Sequence, residues 1–397
     1  MGLSGSKKIR SKMKIYKTYK FRMYPNKEQQ EKLNSYLGTK RFIYNHYLNK
    51  KEKNNNITLQ QMKQDLISLQ NEYPWLKDVD GSILRTTLDD LDNAFSRYYK
   101  KLSGYPKYKK YNARQSYRTS CIRGSYRGTN YQNIKINIER KVIKLPKIND
   151  EIEVRGYRKL QEFNGKIINA TIIKEARKYY CLLLVEEEIE LESFNPRYII
   201  GVDLGVKDLI VTSNGLKYHK LEKLKQLEYK LKGLNKWLSR SQKGSKNRQK
   251  IILKIARVNQ KIKNMRKFYN HLITNKIIKE NDIIITETLK VKEMIMNGKN
   301  KIAKYISNSN LSEIVRQLKY KAIWYNKKLY QINTYYPSSQ ICSNCKIKNK
   351  EIKDLSIRKW ECPSCYFMHD RDINASLNIL DEGMKLYLKE LQKELAV

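Results

Sequence analysis

The sequence is short of acid. Against 82 Lys and Arg it carries only 39 Asp and Glu, a formal net charge of +43, far beyond what solubility requires, so a polyanionic partner is expected. Long apolar runs are missing too. The longest, Tyr179 to Val185, falls well below the roughly 20 residues of a membrane-spanning helix, and the basic N-terminus lacks the apolar stretch of a signal peptide. Nucleic acid therefore explains the charge better than a membrane surface, and an intracellular protein is expected. Cysteine is scarce: six in 397 residues are too few for a disulfide scaffold. Two stretches have no acid at all. Residues 100–127 hold nine Lys or Arg and five Tyr, and nothing between Tyr229 and Lys279 is acidic.

What is present allows two or three domains, since 397 residues with 40% hydrophobic content can bury several cores. The 30 Tyr, many beside Lys or Arg, suit stacking on bases or sugars next to phosphate contacts, although any single Tyr can equally be core or surface. Residues 14–24 alternate basic with apolar or aromatic side chains, the period of a half-exposed strand, and Pro25-Asn26 stops it. From Lys27 to about Lys101 apolar residues recur at helical spacing, among them Leu33, Leu37, Tyr44, Tyr47, Leu84, Leu88, Leu91 and Phe95. Strand signals dominate from Tyr131 to about Glu190, predicting a twisted sheet or barrel that pairs with the first strand.

Tyr198 to Asp203 reads as a buried strand ending in a turn, and Leu209 to Thr212 as its return. Leu224, Leu227, Leu231, Leu234 and Leu238, then Ile251, Ile255, Val258, Ile262, Met265 and Tyr269, repeat at alternating threes and fours. They predict two helices in an antiparallel hairpin, broken by Ser-Gln-Lys-Gly-Ser-Lys. Its outer faces are basic without compensating acid, which favours a phosphate-facing surface over a merely solvated one. Asp282 to Glu287 is a short apolar strand closing on a carboxylate. Helix is expected over Leu311 to Tyr325, strand over Lys328 to Tyr335, and a final helix from Asp372.

Two motifs carry chemistry. Cys342-Ser-Asn-Cys345 and Cys362-Pro-Ser-Cys365, 16 residues apart, have zinc-ribbon spacing and can set four thiolates about 2.3 Å from one tetrahedral Zn²⁺. Such a site is structural, because four thiolates leave no open position. The second motif is a set of acids at strand ends or helix starts: Asp203, Glu287 and Asp372. A lone strand-end acid is usually a cap or a surface ion pair. In chain order, however, Gly-Val-Asp203-Leu-Gly, Ile-Ile-Thr-Glu287 and Asp370-Arg-Asp372-Ile-Asn-Ala-Ser-Leu-Asn378-Ile resemble the three motifs of a RuvC-like nuclease of the RNase H fold. With the ribbon directly before the third, with Tyr336-Pro-Ser-Ser-Gln340, Tyr105-Pro-Lys-Tyr-Lys and Gln242-Lys-Gly-Ser-Lys246-Asn-Arg248, and with Tyr19-Lys-Phe-Arg-Met-Tyr-Pro25 near the start, the chain resembles the TnpB family, relatives of type V CRISPR effectors.

The resemblance covers nearly the whole chain and implies an α+β multidomain fold. A wedge-like β-barrel (1–25 and 113–195) would be interrupted by a helical recognition insertion (26–112). An RNase H-like α/β RuvC domain (196–338 and 368–397) would carry the basic hairpin (219–270) and an inserted zinc ribbon (339–367). It implies an RNA-guided DNA endonuclease in a prokaryotic cytoplasm, associated with the nucleoid. Its partners would be a guide RNA from the transposon end and a double-stranded DNA target beside a short adjacent motif. Two catalytic Mg²⁺ would be held by Asp203 as bridging ligand with Glu287 and Asp372 flanking, and one structural Zn²⁺ by the four cysteines. Three carboxylates in one pocket repel unless cations neutralise them, which agrees with Mg²⁺.

Asp370 rivals Asp372 for the third position, and the family pattern, acid before a hydrophobic-Asn-Ala run, prefers Asp372. Nucleic-acid contacts are expected from Lys107, Lys109, Lys110, Arg114, Arg118, Lys243, Lys246, Arg248 and Arg371; for Arg371 and Asn374, packing at the helix start competes with contact to the scissile phosphate. The sequence departs from the pattern where Lys346 and Tyr366 follow the second cysteine of each pair in place of the Gly that takes positive φ, and where Thr288 follows Glu287. The rival readings are a nuclease-inactive RNA-guided DNA-binding regulator, a guide-independent zinc-ribbon DNA binder, and a structural RNA-binding protein.

Overall fold

Alternation of inward and outward side chains fixes the first strand of the computed structural model, which describes residues 11–111, 115–126, 129–156, 165–191, 194–205, 207–290, 293–294, 296, 310–354 and 356–395. The chain divides into two compact units, Lys12–Glu190 and Leu191–Val397. In the first, β1 (Ser11–Tyr24) buries Ile15, Tyr19, Phe21 and Met23, the period-2 face read from the sequence. Pro25 ends it. Asn26 then caps α1 (Lys27–Lys53), accepting from the Gln29 N–H while the Gln29 side chain accepts from the Asn26 N–H, a capping box. Thr58 and Gln61 open α2 (Leu59–Glu72) in the same way, and Asp80 caps α3 (Gly81–Tyr99).

The strands that follow are β2 (Gln115–Ser120), β3 (Arg123–Tyr126), β4 (Thr129–Gln132), β5 (Lys135–Asn137), β6 (Val142–Lys144), β7 (Ile152–Gly156), β8 (Lys166–Glu175) and β9 (Lys178–Leu191). Seven strands form one sheet in the order β2-β8-β9-β1-β7-β6-β5, while β3 and β4 make a separate hairpin. β1 thus sits inside the sheet, as expected. The expected barrel does not close: among the described residues β2 and β5 are edges. Three-residue strands such as β5 and β6 are too short for the tilt and stagger of closure. Helices cover the sheet instead. Leu33, Ile43, Leu88 and Phe95 of α1 and α3 share one core with Met23, Ile152, Val154 and Leu183 of the strands.

The second unit contains β10 (Ile199–Asp203), β11 (Asp208–Thr212), β12 (Lys217–His219), α4 (Glu222–Arg240), α5 (Lys246–Glu280), β13 (Ile283–Glu287), α6 (Leu311–Trp324), β14 (Lys328–Ile332), β15 (Lys359–Glu361), β16 (Met368–Asp370) and α7 (Arg371–Leu395). The central sheet runs β12-β11-β10-β13-β14. Its first three strands are antiparallel, and β10, β13 and β14 are parallel. Successive side chains go to opposite faces. Ile200 and Ile284 meet α5 and α6 on one face, and Ile283 and Ile285 meet α7 on the other, the double covering that parallel strands need.

α7 lies close to the sheet because two positions have no side chain. A Cβ on Gly201 of β10 would come 2.1 Å from the Ser376 carbonyl oxygen, and one on Gly383 of α7 would come 2.0 Å from a methyl of Ile285. α4 and α5 form the expected hairpin over a leucine and isoleucine seam, turning at Gly244 with φ +86°. α5 continues past the expected end at about Tyr269, because Ile273, Ile277 and Ile278 are buried against the sheet and α6.

Candidate active site and metal centre

Parallel pairing aligns Val202 with Thr286, so the next residues, Asp203 and Glu287, emerge side by side from the C-terminal ends of β10 and β13. That edge of a parallel sheet is where ligands of open α/β folds bind. Asp372 joins them from the first turn of α7, which packs on β10 through Gly201. Burial, then the charges of Glu287 and Asp372, push the Asp203 carboxyl well above the usual carboxylate range, with the Leu204 backbone N–H opposing. Burial raises Glu287 to about 7, again opposed by Leu204. Buried acids brought this close together are a donor set that a hard divalent cation satisfies.

Asp370 has other work. It accepts from the backbone N–H groups of Asp372 and Ile373, each at 3.2 Å, and pairs with Lys217 at 2.6 Å. Burial alone would raise its carboxyl, but Lys217 and the cap hold it below the usual range. Its lone pairs start the helix that presents Asp372, which leaves Asp372 as the acid beside Asp203. Arg358 contacts Asp372 at 3.4 Å.

The four cysteines converge, with their sulfurs within 4.8 Å of one another. The donor set suits one Zn²⁺. Lys346 and Tyr366 adopt φ of 64° and 56°, so both knuckles turn through the left-handed region although neither residue is Gly. The Tyr366 and Lys346 N–H groups donate back to the Cys362 and Cys342 carbonyls at 2.9 Å. His369, 4% exposed, places Nε2 3.0 Å from the Cys342 sulfur between the rings of Trp360 and Phe367.

β16 carries His369 and runs without a break into α7, so the ribbon directly holds the start of the helix bearing Asp372. Arg371, 5% exposed, donates to the carbonyls of Asp354 and Ile357. Asn374 accepts from the Ser343 N–H at 2.8 Å and donates to the Ile341 carbonyl at 2.7 Å, while Asn378 donates to the Ser338 and Ile341 carbonyls. Of the two roles open for Arg371 and Asn374, the contacts are those of packing between ribbon and helix.

The other expected nucleic-acid contacts scatter. Lys107, Lys109 and Lys110 are exposed on one loop, with Lys109 Nζ over the Tyr44 ring at 4.5 Å. Arg114 lies outside the described residues. Arg118 on β2 pairs with Asp90 at 3.2 Å. Lys243 and Lys246 are exposed at the hairpin tip, whereas Arg248 donates to the Leu238 and Ser241 carbonyls and ties the turn together. Sequence reasoning missed Lys217, Arg358 and His369. The first two are lost among 82 basic residues, but His369 is one of only four His and directly precedes Asp370, a signal that could have been read.

A sheet with acids clustered at its parallel edge and a thiolate clamp feeding the third acid offers two donor sets, one of oxygen and one of sulfur, that metal ions would fit. Three stretches match family models: "Helix-turn-helix domain" over residues 13–55, "Probable transposase" over 182–297 and "Cas12f1-like, TNB domain" over 312–379. The chain is 28% identical over 380 residues to "Putative RNA-guided DNA endonuclease" of Streptomyces pristinaespiralis, covering 93% of this chain and 90% of that one. It is 28% identical over 391 residues to "Putative RNA-guided DNA endonuclease InsQ" of Escherichia coli (strain K12), covering 94% and 93%. "TnpB-like protein L770" of Acanthamoeba polyphaga mimivirus is 21% identical over 427 residues, covering 94% and 74%. Over nine-tenths of its length the chain is thus similar to proteins that bear the RNA-guided DNA endonuclease and TnpB-like names. Among the described residues no helix is long and apolar enough to cross a membrane.

Proposed function

We propose that this chain is an RNA-guided DNA endonuclease that cuts at Asp203, Glu287 and Asp372, with a guide RNA from the transposon end and a duplex target beside a short adjacent motif. The observation carrying this reading is the juxtaposition of Asp203 and Glu287 at the ends of neighbouring parallel strands, with Asp372 near enough to raise the Asp203 carboxyl. Relatives that align over nine-tenths of the chain bear the endonuclease name. The five-stranded sheet with helices on both faces supports an RNase H-like RuvC domain over 196–338 and 368–397, with the ribbon at 339–367. The seven-stranded sheet would belong to a wedge element of residues 1–25 and 113–195, and α1 to α3 to a recognition element of residues 26–112.

Asp203, Glu287 and Asp372 would hold two Mg²⁺, and Cys342, Cys345, Cys362 and Cys365 would hold one Zn²⁺. Mg²⁺ held there would supply water activation and charge stabilisation at the departing 3′ oxygen. The chain's own residues do the rest. The Leu204 N–H orients two carboxylates, Asp370 and Lys217 set the start of α7, and Lys107, Lys109, Lys110, Lys243 and Lys246 offer phosphate contacts.

The test is to purify the chain with its co-purifying RNA, sequence that RNA, and add Mg²⁺ with matched duplexes carrying randomised flanks. Cleavage next to one flanking motif is expected, and it should disappear in Asp203→Ala without loss of binding. Intact DNA at every flank, or cutting by Asp203→Ala, overturns the reading.

A further inference from the structure

On α4 the seam leucines Leu224, Leu227, Leu231, Leu234 and Leu238 face α5. At 3.6 residues per turn the opposite side carries Lys225, Tyr229, Lys232, Gly233, Lys236, Trp237 and Arg240. All seven are exposed. Tyr229 is 81% and Trp237 59% exposed, on a surface whose charged members are cations apart from Glu222 in the first turn, and two large rings at i and i+8 are far from a normal solvated face. Gly233 lies between them, and a Cβ there would meet nothing within 4 Å. The helix therefore presents two rings about 12 Å apart along its axis with a low floor between and four cations alongside.

We propose that this outer face of α4 binds a single-stranded polynucleotide, with Tyr229 and Trp237 each stacking on its own base and Lys225, Lys232, Lys236 and Arg240 contacting the phosphates. The charge selects a polyanion. The rings select unpaired bases, because a duplex keeps its base faces stacked inside and offers a flat aromatic side chain no partner. The spacing is too wide for both rings to share one base. The proposal rests on the nucleic-acid-binding part of the reading above, not on the acids, so it can be tested without cleavage.

The experiment uses the full chain without added divalent cation. Binding of labelled single-stranded U20, single-stranded dT20 and a 20-base-pair duplex is measured across a salt series, and bromouridine-substituted U20 is photo-crosslinked and mapped. Crosslinks at Tyr229 and Trp237 are expected. Tyr229→Ala and Trp237→Ala should each weaken single-strand binding roughly 5- to 100-fold with the salt slope unchanged, and Trp237→Phe should retain most of the affinity. Lys232→Ala with Lys236→Ala should lower the slope by about 0.7 for each phosphate no longer neutralised.

A larger effect with U20 than with dT20 assigns the face to RNA, and the reverse to DNA; either supports the proposal. Crosslinks confined to other elements with unchanged affinity in both Ala variants overturn it, as does an equal loss of duplex binding. Concentration-dependent self-association that Trp237→Ala abolishes would overturn it in favour of a second copy of the chain. If the protein cuts no DNA yet gives these crosslinks, the nuclease reading fails and this one stands.

Discussion

The two metal-fitting clusters of Leu191–Val397 are built in opposite ways. The thiolate clamp draws its four sulfurs from one short ribbon, and the paired turns at Lys346 and Tyr366 set its geometry locally. The acid cluster draws one carboxylate from each of β10, β13 and α7, so strand register and a helix resting on Gly201 must all be right before the three meet. Dependence runs one way, because β16 passes from the clamp into α7. Damage to the clamp should reach the acids, and damage to the acids should leave the clamp whole.

The largest expected effect tests that asymmetry. Asp203→Ala should abolish cleavage while zinc content, read by elemental analysis, stays at one ion per chain. Cys362→Ser with Cys365→Ser should lose both zinc and cleavage, and a zinc-free protein that still cuts would break the comparison.

Next is Gly201→Ala, whose Cβ meets the Ser376 carbonyl oxygen at 2.1 Å. Such overpacking costs about 1–3 kcal/mol, roughly 2–12 °C in Tm for a unit of this size. Cleavage should fall with zinc retained, since the displaced part is α7 and not the ribbon.

Smaller again is a pH effect. Glu287 rises from 4.5 to about 7, and Asp203 is raised as well. Between those values the folded chain keeps a proton that the unfolded chain has lost, so metal-free stability should fall as pH climbs from about 4.5 to 7. Mg²⁺ should remove the slope and Asp203→Asn should reduce it, both read by thermal melts; a rising metal-free slope would contradict the burial of these acids. Asn378→Ala, which strips a donor from the Ser338 and Ile341 carbonyls, should cost about 1–3 kcal/mol. Lys217→Ala breaks a partly exposed pair with Asp370 and should cost no more than about 1 kcal/mol, measured by denaturant melts.

The sequence showed the clamp completely, because ligand spacing within a ribbon is the geometry. It showed Asp203, Glu287 and Asp372 as candidates, since each ends an apolar run or opens a helix, but their proximity depends on parallel pairing over a long stretch of chain. Asp370 and Asp372 are both acids at a helix start, and in the sequence only the family pattern preferred Asp372; the fold adds that Asp370 is engaged by Lys217 and by the cap. Arg118 and Arg248 read as nucleic-acid contacts and Arg371 as either that or packing at the helix start; in the fold their guanidinium groups meet Asp90 or backbone carbonyls. Composition counts donors without revealing which ones the fold consumes. The helices of 27–101 were legible from spacing, while closure of the N-terminal sheet was not, since it depends on strand ends and stagger that alternation leaves undefined.

The unbroken passage from His369 into Asp372 has a chemical consequence. Thiolates that oxidise to a disulfide release their ion, and here the released strand is the one that aims Asp372, the third acid of the proposed site. Oxidants would thus silence the nuclease without touching a carboxylate. Diamide treatment should end cleavage in step with zinc release, and thiol reductant with fresh Zn²⁺ should bring it back; cleavage that persists after the ion has left would show the two centres to be uncoupled.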